Sequence, residues 1–196
     1  MVQLLKEMEE YAKENNIPIM MDDGLKFIED YIKKNNVKRI LEIGSAIGYS
    51  AIRMCLNENI CITTIERDEV RYKEAVKNIK KAKLENQITQ IYDDALNIDL
   101  DEKYDLIFID AAKGQYIKFF EKFEKNLSEK GAIISDNLKF HGYTEQKERI
   151  KSKNLRQLVN KIRKYIEFLK ENNTYQTTFY DIGDGIGVTK KRTDDC

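Results

Sequence analysis

The sequence predicts an α/β fold in which a mostly parallel sheet of seven strands carries helices on both faces and ends in an antiparallel hairpin. Three observations carry that expectation. Apolar β-runs alternate with amphipathic helical stretches along the chain. The run Arg39-Ile40-Leu41-Glu42-Ile43 breaks on Gly44 and Gly48 and feeds a helix opening at about Tyr49. The last two β-runs are separated by Gly183-Asp184, a hairpin signal.

Each element has its own reason. Residues 2–15 place Leu4, Leu5, Met8, Tyr11 and Ala12 at helical spacing and stop at Asn15-Asn16. The only proline, Pro18, sits in a connector ending Ile19-Met20-Met21. A second helix follows with Asp22 or Asp23 as its cap and Leu25, Ile28, Tyr31 and Ile32 inward. After the opening strand–turn–helix, residues 60–66 form a second strand ending on Glu66. Asp68 caps a helix reaching about Lys83, expected to bury Val70, Ala75, Val76 and Ile79.

Residues 88–92 make the third strand, running into Asp93-Asp94-Ala95. Residues 104–110 are the clearest strand and end on Asp110. A helix over about 115–127 buries Tyr116, Phe119, Phe120 and Phe123, and residues 131–136 form a strand closing on Asp136. A loop over 137–152 leads to a helix of about 20 residues with Leu155, Leu158, Val159, Ile162, Ile166 and Leu169 in one stripe. Strands over 176–182 and 185–190 finish the chain.

Length and composition bound the function. At 196 residues the chain is expected to be one domain, with two helices over 1–36 ahead of an α/β core over 37–196. Thirty-four basic and 34 acidic residues give zero formal charge, so the chain as a whole is not a polybasic nucleic-acid binder. Cys55, Cys61 and Cys196 show no paired spacing, and two fall in predicted core elements, which suits reduced structural thiols in a cytoplasmic protein. No apolar run approaches membrane-spanning length and no signal-peptide layout opens the chain.

In such a sheet the ligand site lies beyond the carboxyl ends of the strands. Four of those ends carry acids: Glu42, Glu66, Asp110 and Asp136. The turn Glu42-x-Gly44-x-x-x-Gly48 lacks the G-x-G-x-x-G of nicotinamide enzymes. A carboxylate there would repel a pyrophosphate and suits a ligand bearing an ammonium group. Glu66 is placed to bond both ribose hydroxyls of an adenosine, with Asp94 by the adenine. Asp110, Asp136 and Asn137 form an all-oxygen set suited to Mg²⁺ or another hard divalent cation. Lys113 follows in the turn after Asp110, where a neighbouring cation and partial burial would lower its pKa and let it act as a base. The ordinary alternative for Lys113 is a solvated helix-start lysine.

The runs 42–50, Ile65-Glu66-Arg67, Asp94-Ala95, 108–113 and Ser135-Asp136-Asn137 together resemble the cation-dependent class I O-methyltransferases, which include catechol and caffeoyl-CoA O-methyltransferases. Tyr11-Ala12, Ile17-Pro18-Ile19-Met20, the run 38–44, residues 111–116 and Leu158-Val159-x-Lys161-Ile162-Arg163 resemble most closely the bacterial tRNA 5-hydroxyuridine methyltransferases. The resemblance implies a Rossmann-like methyltransferase fold. It implies that Gly44, Ser45 and Glu66, with Tyr49, Ser50, Arg67 and Asp110, hold S-adenosylmethionine, that Glu42 lies near its amino end and Asp94-Ala95 by its adenine, and that Met20 covers it. Asp110, Asp136 and Asn137 would ligate the metal and Lys113 would be the base. The resemblance implies a homodimer; the chain departs from its relatives in their further N-terminal helical sequence, which helps form that dimer.

The substrate is left open between two acceptors. A 5-hydroxyuracil offers adjacent oxygens, the same bidentate handle as a catechol. Residues 139–164 carry Lys139, His141, Lys147, Arg149, Lys151, Lys153, Arg156, Lys161, Arg163 and Lys164 against Glu145 and Glu148. That predicts a basic lip for an RNA backbone, with Phe140 and Tyr143 available to stack on an extruded base and a tRNA anticodon loop as partner. A solvated helix face beside a flexible loop is the bland alternative, and a small catechol or phenol is the alternative substrate.

Overall fold

The computed structural model describes residues 1–56, 59–146 and 150–192. Helices α1 (Val2–Glu14) and α2 (Asp22–Lys34) precede β1 (Arg39–Ile43), α3 (Tyr49–Cys55), β2 (Cys61–Glu66), α4 (Glu69–Ala82), β3 (Ile88–Tyr92) and β4 (Tyr104–Ile109). Then come α5 (Tyr116–Phe123), β5 (Leu127–Ser135), α6 (Lys153–Glu171), β6 (Tyr175–Tyr180) and β7 (Ile186–Lys191). They build one seven-stranded sheet in the order β3-β2-β1-β4-β5-β7-β6. β1 to β5 pair in parallel, while β7 runs antiparallel between β5 and β6. The chain leaves β1 for β2 on one side and returns to β4 on the other, which opens a crevice beyond the ends of β1 and β4.

Period-two alternation divides the core between the two faces. Ile40, Ile62, Leu106, Phe108 and Ile134 pack with α1 to α4, and Leu41, Ile43, Ile107, Ile109 and Ile133 pack with α5 and α6. The Asp68 carboxylate accepts from Arg71 N at 2.9 Å and caps α4, as its sequence predicts. The inward face of α4 is Ala75, Asn78 and Ile79, whereas Val70 and Val76, expected in the core, are 68% and 41% exposed. Tyr165 is the buried α6 residue missing from the predicted stripe.

Other boundaries differ from expectation for tertiary reasons. The helix expected over 115–127 is α5 flanked by two 3₁₀ turns, because Leu127 already pairs with Tyr104 in β4. A register shift then lets the ladder resume at Ala132 opposite Leu106, so β5 starts earlier than its apolar run. The last two strands are joined by residues 181–185 instead of a two-residue turn, since the backbone there pairs with the loop after β5. Cys55 is buried and its thiol is pushed up to about 12 by burial, while Cys61, expected in the core, is exposed. Cys196 lies outside the described residues. No helix among them is long and apolar enough to cross a membrane.

Candidate active site

Four neighbouring strand ends, those of β2, β1, β4 and β5, are tied to one another at the carboxyl edge of the sheet. Gly44 N donates to Ile65 O at 2.9 Å, Asp110 N to Ile43 O at 3.1 Å and Asp136 N to Ile109 O at 3.4 Å. Gly44 has φ +96°, and a Cβ there would stand 2.5 Å from the carbonyl oxygen of Asp110. Glycine is thus required twice over, by its torsion and by the approach of β4. Beyond these ends lies a cavity of about 260 Å³.

Most of the residues singled out from the sequence meet there. Met20, Gly44, Ser45, Tyr49, Ser50, Glu66, Arg67, Asp94, Ala95, Asp110, Lys113 and Asn137 all line the cavity. Ile19, Arg71, Asp93, Ala112 and Phe119 line it too and are not among the residues the sequence singles out. Asp93 sits beside Asp94, so its position is within reach of the sequence. Arg71 and Phe119 look like any other helix residue until α4 and α5 are docked.

Glu66 is the structural centre of the adenosine end. One carboxylate oxygen accepts from Ala46 N and the other from Asp68 N, each at 2.9 Å. Each oxygen keeps a lone pair for a hydroxyl facing it from the cavity. Arg67 and Asp94 form an ion pair at 3.2 Å across the same rim, and the Asp94 carboxylate accepts from Leu96 N. Tyr49 closes the opposite wall, its hydroxyl donating to Glu9 at 2.5 Å and accepting from Arg53 at 3.3 Å.

Glu42 departs from expectation. It is fully buried and does not line the cavity. Its two oxygens accept from Ser50 Oγ and Thr64 Oγ1, both at 2.5 Å, because period two directs it to the α3 side of β1. Burial raises its carboxyl to about 7, opposed by those two hydrogen bonds. Glu42 therefore braces the turn from behind, through Ser50 and Thr64.

Asp110 and Asp136 are raised well above the ordinary carboxylate range, first by burial and then by like charge, each lying close to other acids. Asn137, held at φ +62°, donates to Asp136 Oδ2 at 2.6 Å and to Asp110 Oδ1 at 3.4 Å. Oδ1 of Asp136 is buried without a hydrogen-bond partner. Two crowded carboxylates, an orphaned oxygen and an adjacent amide fit a hard divalent cation, whose charge would relieve the repulsion. Among the described residues no group of three His, Cys, Asp or Glu could hold a metal, which leaves this mixed carboxylate–amide set as the candidate.

Lys113 starts the 3₁₀ turn before α5, and its ammonium lies 5.9 Å from the Phe140 ring centroid. Phe140 in turn packs against His141 and Tyr143, with centroids 5.5 and 6.2 Å away. The basic lip is less free than its sequence suggests. Lys139 pairs with Asp181 at 2.6 Å and with Glu145 at 3.5 Å. His141 is exposed, lies 3.8 Å from Asp184, and its backbone N–H donates to the same carboxylate. Arg156 donates to Ile150 O, and Arg163 to the carbonyls of Tyr143, Thr144 and Gln146. Lys151 and Lys153 are exposed; Lys147, Glu148 and Arg149 lie outside the described residues.

A family model described as O-methyltransferase matches residues 1–192. The chain belongs to the O-methyltransferase family. This O-methyltransferase is 29% identical over 203 residues to tapetum-specific methyltransferase 1 of Arabidopsis thaliana, covering 96% of this chain and 86% of that protein. It is 27% identical to a caffeoyl-CoA O-methyltransferase of Populus kitakamiensis, over 95% and 86% of the two chains. A crystal structure from Staphylococcus aureus, provisionally described as a caffeoyl-CoA O-methyltransferase, superposes with a TM-score of 0.90 at 39% identity, covering 96% and 92%. The S-adenosylhomocysteine-bound methyltransferase PaMTH1 of Podospora anserina shares the fold, with a TM-score of 0.87 at 22% identity over 97% and 88%.

Proposed function

We propose that this O-methyltransferase transfers a methyl group from S-adenosylmethionine to the 5-hydroxyl of 5-hydroxyuridine in tRNA, assisted by Mg²⁺ or another divalent cation. One observation carries the reading. Asp110, Asn137 and Lys113 line the same cavity as the Gly44–Ser45 turn and Glu66; Asp136 does not line it, but its carboxylate accepts from Asn137 and keeps one oxygen without a partner.

The residues divide the work. Glu66 would bind the ribose hydroxyls and Asp94 with Ala95 would flank the adenine, while Ile19 and Met20 of the connector exclude water from one wall. Asp110, Asp136 and Asn137 would hold the cation. S-Adenosylmethionine would supply an already activated methyl group, and a cation held there would lower the pKa of the acceptor hydroxyl. Lys113 Nζ takes the hydroxyl proton, and holding acceptor and methyl in line supplies much of the acceleration. Phe140, beside Lys113, is a platform for the acceptor ring.

For the tRNA acceptor the support is electrostatic. Residues 153–164 of α6 carry Lys153, Arg156, Lys161, Arg163 and Lys164 with no acid, and the helix packs on the turn holding Lys113. A second reading, a small catechol or phenol, draws on Lys139 being neutralised by Asp181 and Glu145. It also draws on relatives such as the flavonoid 3',5'-methyltransferase of Vitis vinifera, 28% identical over 94% of this chain and 82% of that protein.

Mass spectrometry of tRNA nucleosides after incubation with enzyme, Mg²⁺ and S-adenosylmethionine decides between them. Conversion of 5-hydroxyuridine to 5-methoxyuridine is the expected result. Turnover of free catechols with the tRNA nucleoside unchanged would overturn it.

A further inference from the structure

We infer that the exposed face of α6 beside the Lys113 turn binds a phosphodiester of the RNA next to the nucleotide being methylated. The inference rests on the tRNA reading above and names the surface that reading requires.

A notch of about 370 Å³ is lined by Gln157, Asn160, Lys161 and Lys164. These positions are spaced i, i+3, i+4 and i+7, so they form one stripe along the helix. All four side chains donate hydrogen bonds and two are cations, the chemistry that recognises a phosphate. Among the described residues neither lysine has a carboxylate partner, unlike Lys139. From Ser152 to Lys164 the chain has no acid.

The notch also adjoins the chemistry. A Cβ on Gly114 would meet Lys161 Cδ at 3.2 Å and Nζ at 3.4 Å, so Lys161 lies directly on the residue after Lys113. A base reaching Lys113 carries its own backbone within reach of this stripe. An acceptor without a phosphate has nothing to place there.

The test uses a fluorescent anticodon stem-loop oligoribonucleotide with an unmodified uridine, titrated by anisotropy over a range of KCl concentrations. Lys161→Ala/Lys164→Ala is expected to weaken binding about tenfold and to flatten the salt dependence of log K by about 1.4, roughly 0.7 for each phosphate left without its lysine. Lys80→Ala/Lys81→Ala, on α4 across the sheet, is expected to leave both unchanged. Turnover of free 5-hydroxyuridine nucleoside is expected to be the same in the Lys161/Lys164 variant as in the wild type.

If wild-type enzyme methylates 5-hydroxyuridine in tRNA while the Lys161/Lys164 variant binds the oligonucleotide equally well, the notch assignment falls alone. Equal weakening in the α4 control, or parallel loss of nucleoside turnover, overturns it as well. Wild-type enzyme that neither binds the loop nor methylates tRNA overturns the reading beneath it.

Discussion

The Tyr116 hydroxyl donates a hydrogen bond to the backbone carbonyl of Asp136 across 3.1 Å, and both residues are buried. One residue earlier, Ser135 Oγ and the Tyr165 hydroxyl lie 2.6 Å apart, also buried. The end of β5 is thereby fixed from below by two phenols, and Asp136 and Asn137 inherit that position. Burial raises both phenols above their ordinary pKa, so they stay protonated donors at neutral pH.

Tyr116→Phe leaves the Asp136 carbonyl buried without its partner. The expected cost is about 1–3 kcal/mol of stability in denaturant unfolding. Divalent-cation affinity, measured by calorimetry with Mn²⁺, is expected to fall about tenfold or more, because the ligand-bearing backbone is no longer held. Unchanged Mn²⁺ affinity would show that the ligands are positioned without the phenol.

Asp110 and Asp136 bind protons more tightly folded than unfolded, because burial first, and then the charge of neighbouring acids (Asp136 for Asp110, Asp184 and Asp23 for Asp136), disfavours their charged forms. The folded state then loses stability as pH rises from about 4, the unfolded value, past neutrality. Metal-free protein is expected to melt at progressively lower temperature over that range. Added Mg²⁺ is expected to recover most of the loss at the alkaline end. A melting temperature that Mg²⁺ does not raise at pH 8 would argue against cation binding here.

Lys113→Met removes the proposed base without disturbing the adenosine end of the cavity. The expected outcome is a fall in kcat of about 10²–10⁴-fold with S-adenosylmethionine affinity within a few-fold of wild type. Equal losses in cofactor affinity and in rate would place Lys113 in binding instead.

Arg163 spans from α6 to three loop carbonyls, at 2.7 to 3.1 Å. Arg163→Ala is expected to raise amide hydrogen exchange across 138–146 and to raise KM for the acceptor, while the core of β1 and β4 keeps its protection. Identical exchange in the variant would mean that Lys139 and the contacts to Asp184 hold the loop unaided.

Local patterns are legible wherever a residue's role depends on its own strand. Gly44, Glu66, Asp110 and Asp136 end apolar runs, and a run's carboxyl end is where such a sheet exposes its site. Glu42 misleads because its chemistry suits a ligand, while the pleat directs it to the other face of β1. The lip misleads in the other direction. Its cations are adjacent in sequence, but Asp181, which pairs with Lys139, and Asp184, which meets His141, arrive from the β6–β7 connection.

By itself the sequence determined the alternation of strands and helices, the glycine turn and the row of acids at the strand ends, since each follows from spacing over a few residues. The tertiary structure alone decided which cations of the loop meet acids, that Asp136 is held by Tyr116, and that Lys161 lies against Gly114. Those relationships join residues from different elements, and packing sets their separation where chain spacing does not.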